Sequence, residues 1–226
     1  MRKNILILSI LFIVFSCNNN QSKITDYKAL YDKSMAVKDY HTAITALQVL
    51  LLTDSNNTSY LDTLPELYAA VKNFEASNYY TDLALKRYPD SEKYLQIKAL
   101  CVQQTGNFEE ELGLYEKLYE STKKLPYLYQ LTAYYFSSGQ TKEAKNYLEK
   151  LEELSKNSTD SVDFMISETE KQKVPIKAAI YNMKAYMSVQ NRDLASAKKF
   201  FEMALKEFPD FITAKQNYYQ LMQSAR

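Results

Sequence analysis

Asn107-Phe108, in residues 101–112 (CVQQTGNFEEEL), is one copy of a pattern that repeats along the chain. A polar residue that precedes an aromatic, aliphatic or threonine residue recurs as Asp39-Tyr40, Asn73-Phe74, Gln140-Thr141 and Asp193-Leu194. Successive copies are separated by 34, 34, 33 and 53 residues, and 53 is 34 plus an insert of 19. A period near 34 residues is typical of stacked helix-turn-helix units. We therefore expect an α-helical solenoid.

Residues 58–91 show the pattern inside one unit. Leu61, Leu64 and Tyr68 fall on one side of a first helix, and Pro89 ends the second helix because it cannot continue the hydrogen-bond ladder. The two helices must approach closely where small residues recur in the second helix. Small residues fill an early slot at Ala43, Ser77, Ala144 and Ala197, and a later slot at Ala84 and Ala204.

This combination of large early residues, small residues in the second helix and a closing proline resembles the tetratricopeptide repeat (TPR) family. The resemblance implies an all-α, right-handed α-α superhelix over residues 26–209, closed by a capping helix at 210–226. The expected units are about 24–57, 58–91, 92–124, 125–157 and 178–209. Two residues depart from the pattern, because Glu111 and Leu50 stand where small residues are expected.

The period breaks at an insert near residues 155–175. Val162, Met165 and Ile166 would share one side of a short helix within Val162–Lys173. One interpretation is a slack connector between units four and five. The other is a device that offsets the last unit or covers part of the array.

The N-terminus has the pattern of an export signal. A cationic start precedes the apolar run Ile5–Phe15, which is too short to span a bilayer as a helix. Val14-Phe15-Ser16-Cys17 then resembles a bacterial lipoprotein signal box, which implies that residues 1–16 are removed and that Cys17 is lipidated. Residues 17–25 would form a flexible tether. The alternative is an ordinary secretory signal in which the cysteine is incidental. In some bacteria, an aspartate directly after the lipidated cysteine retains a lipoprotein in the inner membrane. Because this chain has Asn18 at that position, we favour the outer membrane, with the protein facing the periplasm.

Charge and cysteine content argue against a nucleic-acid-binding protein and against a fold held by disulfides. Removal of Arg2 and Lys3 leaves 26 of the 28 basic residues against 27 acidic ones, so we expect no nucleic-acid partner. The chain has two cysteines. Because Cys17 would be lipidated, we expect no disulfide and a buried apolar role for Cys101.

No motif in the sequence predicts catalysis, a cofactor or a metal site. His41 is the only histidine, and we expect it on the surface beside the first repeat's turn. Zinc sites of the common kinds and a Ser-His-Asp triad both need residues that this chain lacks. Many of the 20 tyrosines fall in repeat core positions. We therefore predict a protein that is not an enzyme.

The resemblance also implies a peptide-binding groove, because the first helices of such repeats line an inner surface. A chaperone-type carboxylate clamp is not expected, since Asp32 stands where that clamp needs asparagine. The remaining groove would offer amides to peptide backbone and aromatic or sulfur-containing side chains to apolar groups. Its predicted residues are Lys93, Gln96, Ile97, Leu100, Gln103, Gln104, Tyr129, Gln130, Phe136, Asn182, Met183, Tyr186 and Gln190.

Three functions fit this pattern. The first is a membrane-anchored scaffold or adaptor that binds an envelope protein through the groove. The second is a subunit of an outer-membrane protein assembly machine, because the barrel-assembly complex contains a lipoprotein of about five such repeats. The third is a lipoprotein that binds a glycan or another small ligand. Tyr129, Phe136 and Tyr186 could instead pack against the insert or the terminal helix, and the sequence leaves that open.

Overall fold

The computed structural model describes residues 21–54, 57–167 and 170–224, which form eleven helices and one two-stranded sheet. The helices in the first half are α1 (residues 21–36), α2 (Tyr40–Thr53), α3 (Ser59–Ala70), α4 (Phe74–Arg87), α5 (Glu92–Thr105) and α6 (Phe108–Thr122). The second half contains α7 (Leu125–Ser137), α8 (Thr141–Leu154), β1 (Ser161–Met165), β2 (Lys171–Pro175), α9 (Ile176–Gln190), α10 (Leu194–Glu207) and α11 (Ile212–Ser224). Helices pack in consecutive pairs, such as α3 with α4 and α9 with α10.

The repeated dipeptide marks the turn between the two helices of a pair. Its polar residue is the N-cap of the second helix: the Asp39, Asn73 and Asp193 side chains accept hydrogen bonds from the backbone N–H three residues later, at 3.0–3.1 Å. The side chains of Thr42 and Ser196, together with these backbone bonds, lower the pKa of the Asp39 and Asp193 carboxyls. The residue before the N-cap has a left-handed backbone at Lys38, Lys72, Gly106, Gly139 and Arg192.

That left-handed residue ends the first helix of each pair. At Asn73, the backbone N–H donates to the carbonyl of Tyr68 at 2.9 Å, and Asp193 does the same to Ser188. This is the bond that closes a Schellman turn. Glycine adopts the required φ without strain, whereas a lysine such as Lys72, at φ 57°, does so at a cost of about 1 kcal/mol. The sequence pattern therefore repeats because each of these turns needs a left-handed residue followed by a helix N-cap.

The chain divides into two compact units, with the division after Glu111 inside α6. We call them the N-terminal unit and the C-terminal unit. In the N-terminal unit, α2 and α3 share an apolar core that includes Leu47, Leu50, Leu64 and Leu67. In the C-terminal unit, a smaller cluster joins α9, α10 and α11 through Ala185, Ala197, Phe201 and Leu221. α11 thus packs on the last helix pair, where the sequence places a capping helix.

The small residues of the second helices are fully buried, as expected. Ala43, Ser77, Ala84, Ala144, Ala197 and Ala204 each have 0% exposure. Ser77 also donates a hydrogen bond from its Oγ to the carbonyl of Pro65 in the preceding helix, at 2.8 Å. A contact this short requires the two helices to lie close together. The departures from the pattern are buried too, since Leu50 is 1% and Glu111 is 7% exposed.

The prediction of a short helix within Val162–Lys173 is wrong. This segment forms a hairpin in which β1 pairs antiparallel with β2, so that Val162 lies opposite Val174 and Phe164 opposite Gln172. Val162 and Val174 are buried, whereas Met165 is 55% exposed. The apolar residues therefore follow the period of two of a strand, with Val162, Phe164 and Ile166 on one side, and not the helical spacing that includes Met165.

The predictions for the N-terminus fall largely outside the described residues, because the signal peptide and Cys17 precede residue 21. Helix α1 already includes residues 21–25, which the sequence assigns to a tether. Within the described part of the chain, no helix is both long and apolar enough to span a membrane. Cys101 is buried and forms no disulfide, and its burial raises the pKa of the thiol.

Candidate interaction surfaces

One side of α5 forms an exposed surface in the N-terminal unit. The side chains of Lys93, Gln96, Leu100, Gln103 and Gln104 are exposed, and that of Ile97 is half-buried between them. Leu100 exposes 41% of its surface, which is high for a leucine in a helix that buries its other side. The structure therefore brings the predicted α5 residues together on one face, which we call the α5 face.

Polar residues of the α5 face, Lys93 and Gln103 among them, are already engaged within the unit. The Lys93 ammonium pairs with the Glu66 carboxylate of α3 at 2.8 Å, and both side chains are about half exposed. Gln103 donates from its amide to Glu111 at 3.2 Å. Burial raises the pKa of Glu111, and the bond from Gln103 opposes this shift. Arg87 of α4 also pairs with Asp62 of α3. The α5 face is thus a mixture of paired charge, amides and apolar side chains.

Three predicted groove residues of the C-terminal unit are buried. Tyr129 is 8%, Asn182 is 2% and Met183 is 4% exposed, so none of them lines an open surface. The Tyr129 ring lies 6.0 Å from the ring of Phe164, which belongs to β1. Burial raises the pKa of the Tyr129 hydroxyl well above its ordinary value. Of the two alternatives that the sequence left open, packing against the insert is the one that the structure shows for Tyr129.

The other predicted residues of this unit are accessible. Tyr186 is 39% exposed and Gln190 is exposed, both on α9, while Gln130 and Phe136 on α7 are half-buried. The Tyr186 ring packs edge-on against Phe201 at 6.0 Å. Burial raises the pKa of the Tyr186 hydroxyl, and the nearby Asn217 side chain partly offsets that shift. This second accessible surface is smaller than the sequence predicts.

The hairpin is fastened to the end of the C-terminal unit by contacts that the sequence analysis missed. Phe164 stacks edge-on against Phe211 at 4.8 Å. The Gln172 amide donates to the Asp210 carbonyl at 2.6 Å, and its oxygen accepts from the N–H of Ile212 at 3.0 Å. Gln172 thereby satisfies a free N–H at the start of α11. The sequence feature that indicates this hairpin is the alternation of the apolar residues Val162, Phe164 and Ile166.

The described residues contain no group of three or more His, Cys, Asp or Glu side chains that could hold a metal ion. His41 is exposed, as expected. It lines an open cavity of about 650 Å³ in the N-terminal unit, together with Ile44, Tyr68, Lys72 and Phe74. Thr45, Val71, Asn73 and Glu75 complete the lining of this cavity.

Comparison with known proteins supports the architecture. No protein-family model and no curated protein matches the chain. A tetratricopeptide repeat protein from Parabacteroides merdae is 13% identical, with a TM-score of 0.68 over 88% of this chain and 72% of that chain. MamA from Desulfovibrio magneticus RS-1 is also 13% identical, with a TM-score of 0.61 over 84% of this chain and 97% of that chain. Identities this low show the fold alone, and they confirm the all-α repeat solenoid that the sequence predicts.

Proposed function

Because the chain has the tetratricopeptide-repeat solenoid fold, we propose that it is a lipid-anchored scaffold of the bacterial cell envelope that binds a peptide segment of another envelope protein. The fold supports this proposal, because stacked helix pairs present extended surfaces to polypeptides. The residues that the family uses for binding lie on the first helices of the pairs. In this chain, α5 exposes the largest set of them.

The α5 face is the observation on which the proposal rests. An amide side chain such as that of Gln104 can donate to peptide carbonyls and accept from peptide N–H groups. Leu100 and Ile97 offer apolar surface between the amides of the α5 face, and burial of this surface by a bound peptide would be favourable. The Lys93–Glu66 pair at the edge adds charge that can select a partner.

The C-terminal unit offers a second surface of the same kind. Tyr186 and Gln190 provide an aromatic ring and an amide one helical turn apart on α9. Tyrosine is enriched at interfaces because its ring is apolar and its hydroxyl can still form a hydrogen bond. This surface supports the same mode of binding, independently of the α5 face.

The anchor rests on the sequence pattern that ends at Cys17. A diacylglycerol thioether and an acylated amino terminus would hold the protein at the membrane, since each buried CH₂ contributes about 0.8 kcal/mol. We place the protein on the outer membrane, facing the periplasm. Metabolic labelling with an alkynyl fatty acid tests the anchor: the wild-type protein should incorporate the label, and the Cys17→Ala variant should not. Labelling of both proteins would contradict lipidation at Cys17.

Leu100→Glu tests the binding surface. The added charge should abolish crosslinking of the protein to its partner in intact envelopes, because the α5 face could no longer bury apolar surface. Leu52→Glu is the matched control, since Leu52 is an 85% exposed leucine on α2 of the same unit. It should leave crosslinking unchanged. Equal crosslinking by both variants would overturn the proposal.

A depletion experiment separates the adaptor from an assembly subunit. Depletion of an adaptor should lower the amount of its own partner. Depletion of an assembly subunit should lower many outer-membrane barrel proteins at once. Binding of a glycan by the purified chain, without any protein partner, would favour the ligand-binding alternative.

A further inference from the structure

The hairpin of the C-terminal unit has one strand edge that no other described segment uses. The Ile166 N–H donates to the Glu170 carbonyl at 3.0 Å, and the Ile176 N–H donates to the Asp160 carbonyl at 2.9 Å. In this register, Val162 and Phe164 are the β1 residues that exchange hydrogen bonds with β2. The peptide groups of Ser161, Asp163 and Met165 therefore point away from β2. We call these three residues the outer edge of β1.

Two of the three outer-edge residues have exposed side chains, and Ser161 is half-buried. Among the described residues, the backbone groups of Ser161, Asp163 and Met165 form no hydrogen bond with the backbone of a segment outside the hairpin. The Asp163 side chain is exposed, and Met165 has 55% exposure. A row of free backbone donors and acceptors at a strand edge is a template for another strand.

The two edges of the hairpin carry different residues. On β2, Lys171 and Lys173 are exposed and Pro175 lacks an N–H group. Lysine and proline are the residues that proteins use to prevent strand addition at an edge. On β1, the outer edge carries Asp163 and the apolar Met165. Only the β2 edge is therefore protected.

We propose that the outer edge of β1 binds an extended segment of a partner protein as a third, antiparallel strand. The segment places a basic residue opposite Asp163 and an apolar residue opposite Met165. Because opposing antiparallel strands run in opposite directions, the apolar residue precedes the basic one by two positions. Main-chain hydrogen bonds supply affinity and the two side-chain contacts supply selectivity.

A second copy of this chain is a poor occupant of the same edge. If two β1 strands paired antiparallel and in line, Asp163 of one copy would lie opposite Asp163 of the other. Like charges directly opposite each other destabilise a strand pair. The charge at the centre of the edge therefore favours a basic partner over self-association.

Proline substitution on the two edges provides the test. Asp163→Pro removes a donor from the outer edge, while the hydrogen bonds between β1 and β2 remain. Lys173→Pro is the matched control, because Lys173 lies opposite Asp163 and its peptide group points to the other edge. The probe is a fluorescein-labelled, threonine-rich peptide that contains one Val-Thr-Lys triplet, and its anisotropy is measured with the full mature chain.

We expect the wild-type chain to bind the probe saturably, Asp163→Pro to weaken binding by about tenfold or more, and Lys173→Pro to change it by less than about twofold. Asp163→Lys should favour a Val-Thr-Glu probe over Val-Thr-Lys. Amide exchange at Val162 and Val174 verifies that the hairpin persists in each variant. The absence of saturable binding by the wild-type chain would overturn the proposal, and so would equal binding by Asp163→Pro. Leu100→Glu should leave probe binding unchanged, so this proposal and the proposed function fail separately.

Discussion

The N-terminal and C-terminal units are built from the same helix pair, but they differ in how one pair is joined to the next. In the N-terminal unit, α4 and α5 are joined by the four residues Tyr88–Ser91. In the C-terminal unit, α8 and α9 are joined by residues 155–175, which contain the hairpin. The hairpin connection is followed by a regular helix pair, α9 with α10.

The difference shows what lets a repeat array accept an insert. Lengthening a connection adds only a small closure entropy, about 0.6 kcal/mol for each doubling of its length. The inserted residues must still satisfy their own backbone groups and bury their own apolar side chains. The hairpin does both, because β1 pairs with β2 and Phe164 packs between Tyr129 and Phe211. An insert with one apolar side becomes a part of the unit's packing.

The largest effect is expected where the two helices of a pair touch. Ser77→Leu would force a large side chain into a fully buried position and break the hydrogen bond to Pro65. We expect it to lower the free energy of unfolding by about 3 kcal/mol. Ser77→Ala is the control, because the C-terminal unit already has alanine in this slot, at Ala144 and Ala197. It should lower the free energy by about 1 kcal/mol. Urea unfolding measures both, and equal values would contradict a close helix contact.

A smaller effect is expected at the hairpin, which has no counterpart in the N-terminal unit. Phe164→Ala removes the ring contacts to Tyr129 and Phe211, and since Phe164 is half-buried we expect a loss of about 2 kcal/mol. The neighbouring Met165→Ala variant should change stability by less than about 0.5 kcal/mol, because Met165 faces solvent. Hydrogen exchange of the α11 amides is the readout. Unchanged protection in Phe164→Ala would show that the hairpin does not hold the start of α11.

The regular repeats could be predicted from the sequence because each helix pair requires the same types of residue at its turn and at its helix contact. Asn73 caps a helix and Ala84 permits a close approach, and both requirements recur with the repeat. The insert occurs once, so the sequence contains no second copy that could show whether it forms a helix or a strand. Val162 and Ile166 fit a helix and a strand equally well, and only the burial of Phe164 in place of Met165 decides between them. The sequence could not decide whether Tyr129 lines the groove or packs against the insert, because the answer depends on the structure of the insert.

The smallest effect is expected at Glu111, a titratable residue at the position where other second helices carry a small residue. Burial raises its pKa, so the folded chain holds this proton more tightly than the unfolded chain does. The charged form therefore lowers the free energy of unfolding above the folded-state pKa, and this loss disappears as the pH falls below the ordinary value for glutamate. Glu111→Gln should raise the free energy of unfolding by less than about 1 kcal/mol near pH 7 and leave it unchanged near pH 4.

Glu109→Gln is the control for this substitution, because Glu109 occupies the same first turn of α6 but is exposed. It shares any interaction with the helix dipole and lacks the burial. Thermal unfolding at the two pH values should therefore separate the variants near neutral pH only. A gain of equal size at both pH values would mean that packing, and not the buried charge, distinguishes this slot from the alanines at Ala144 and Ala197.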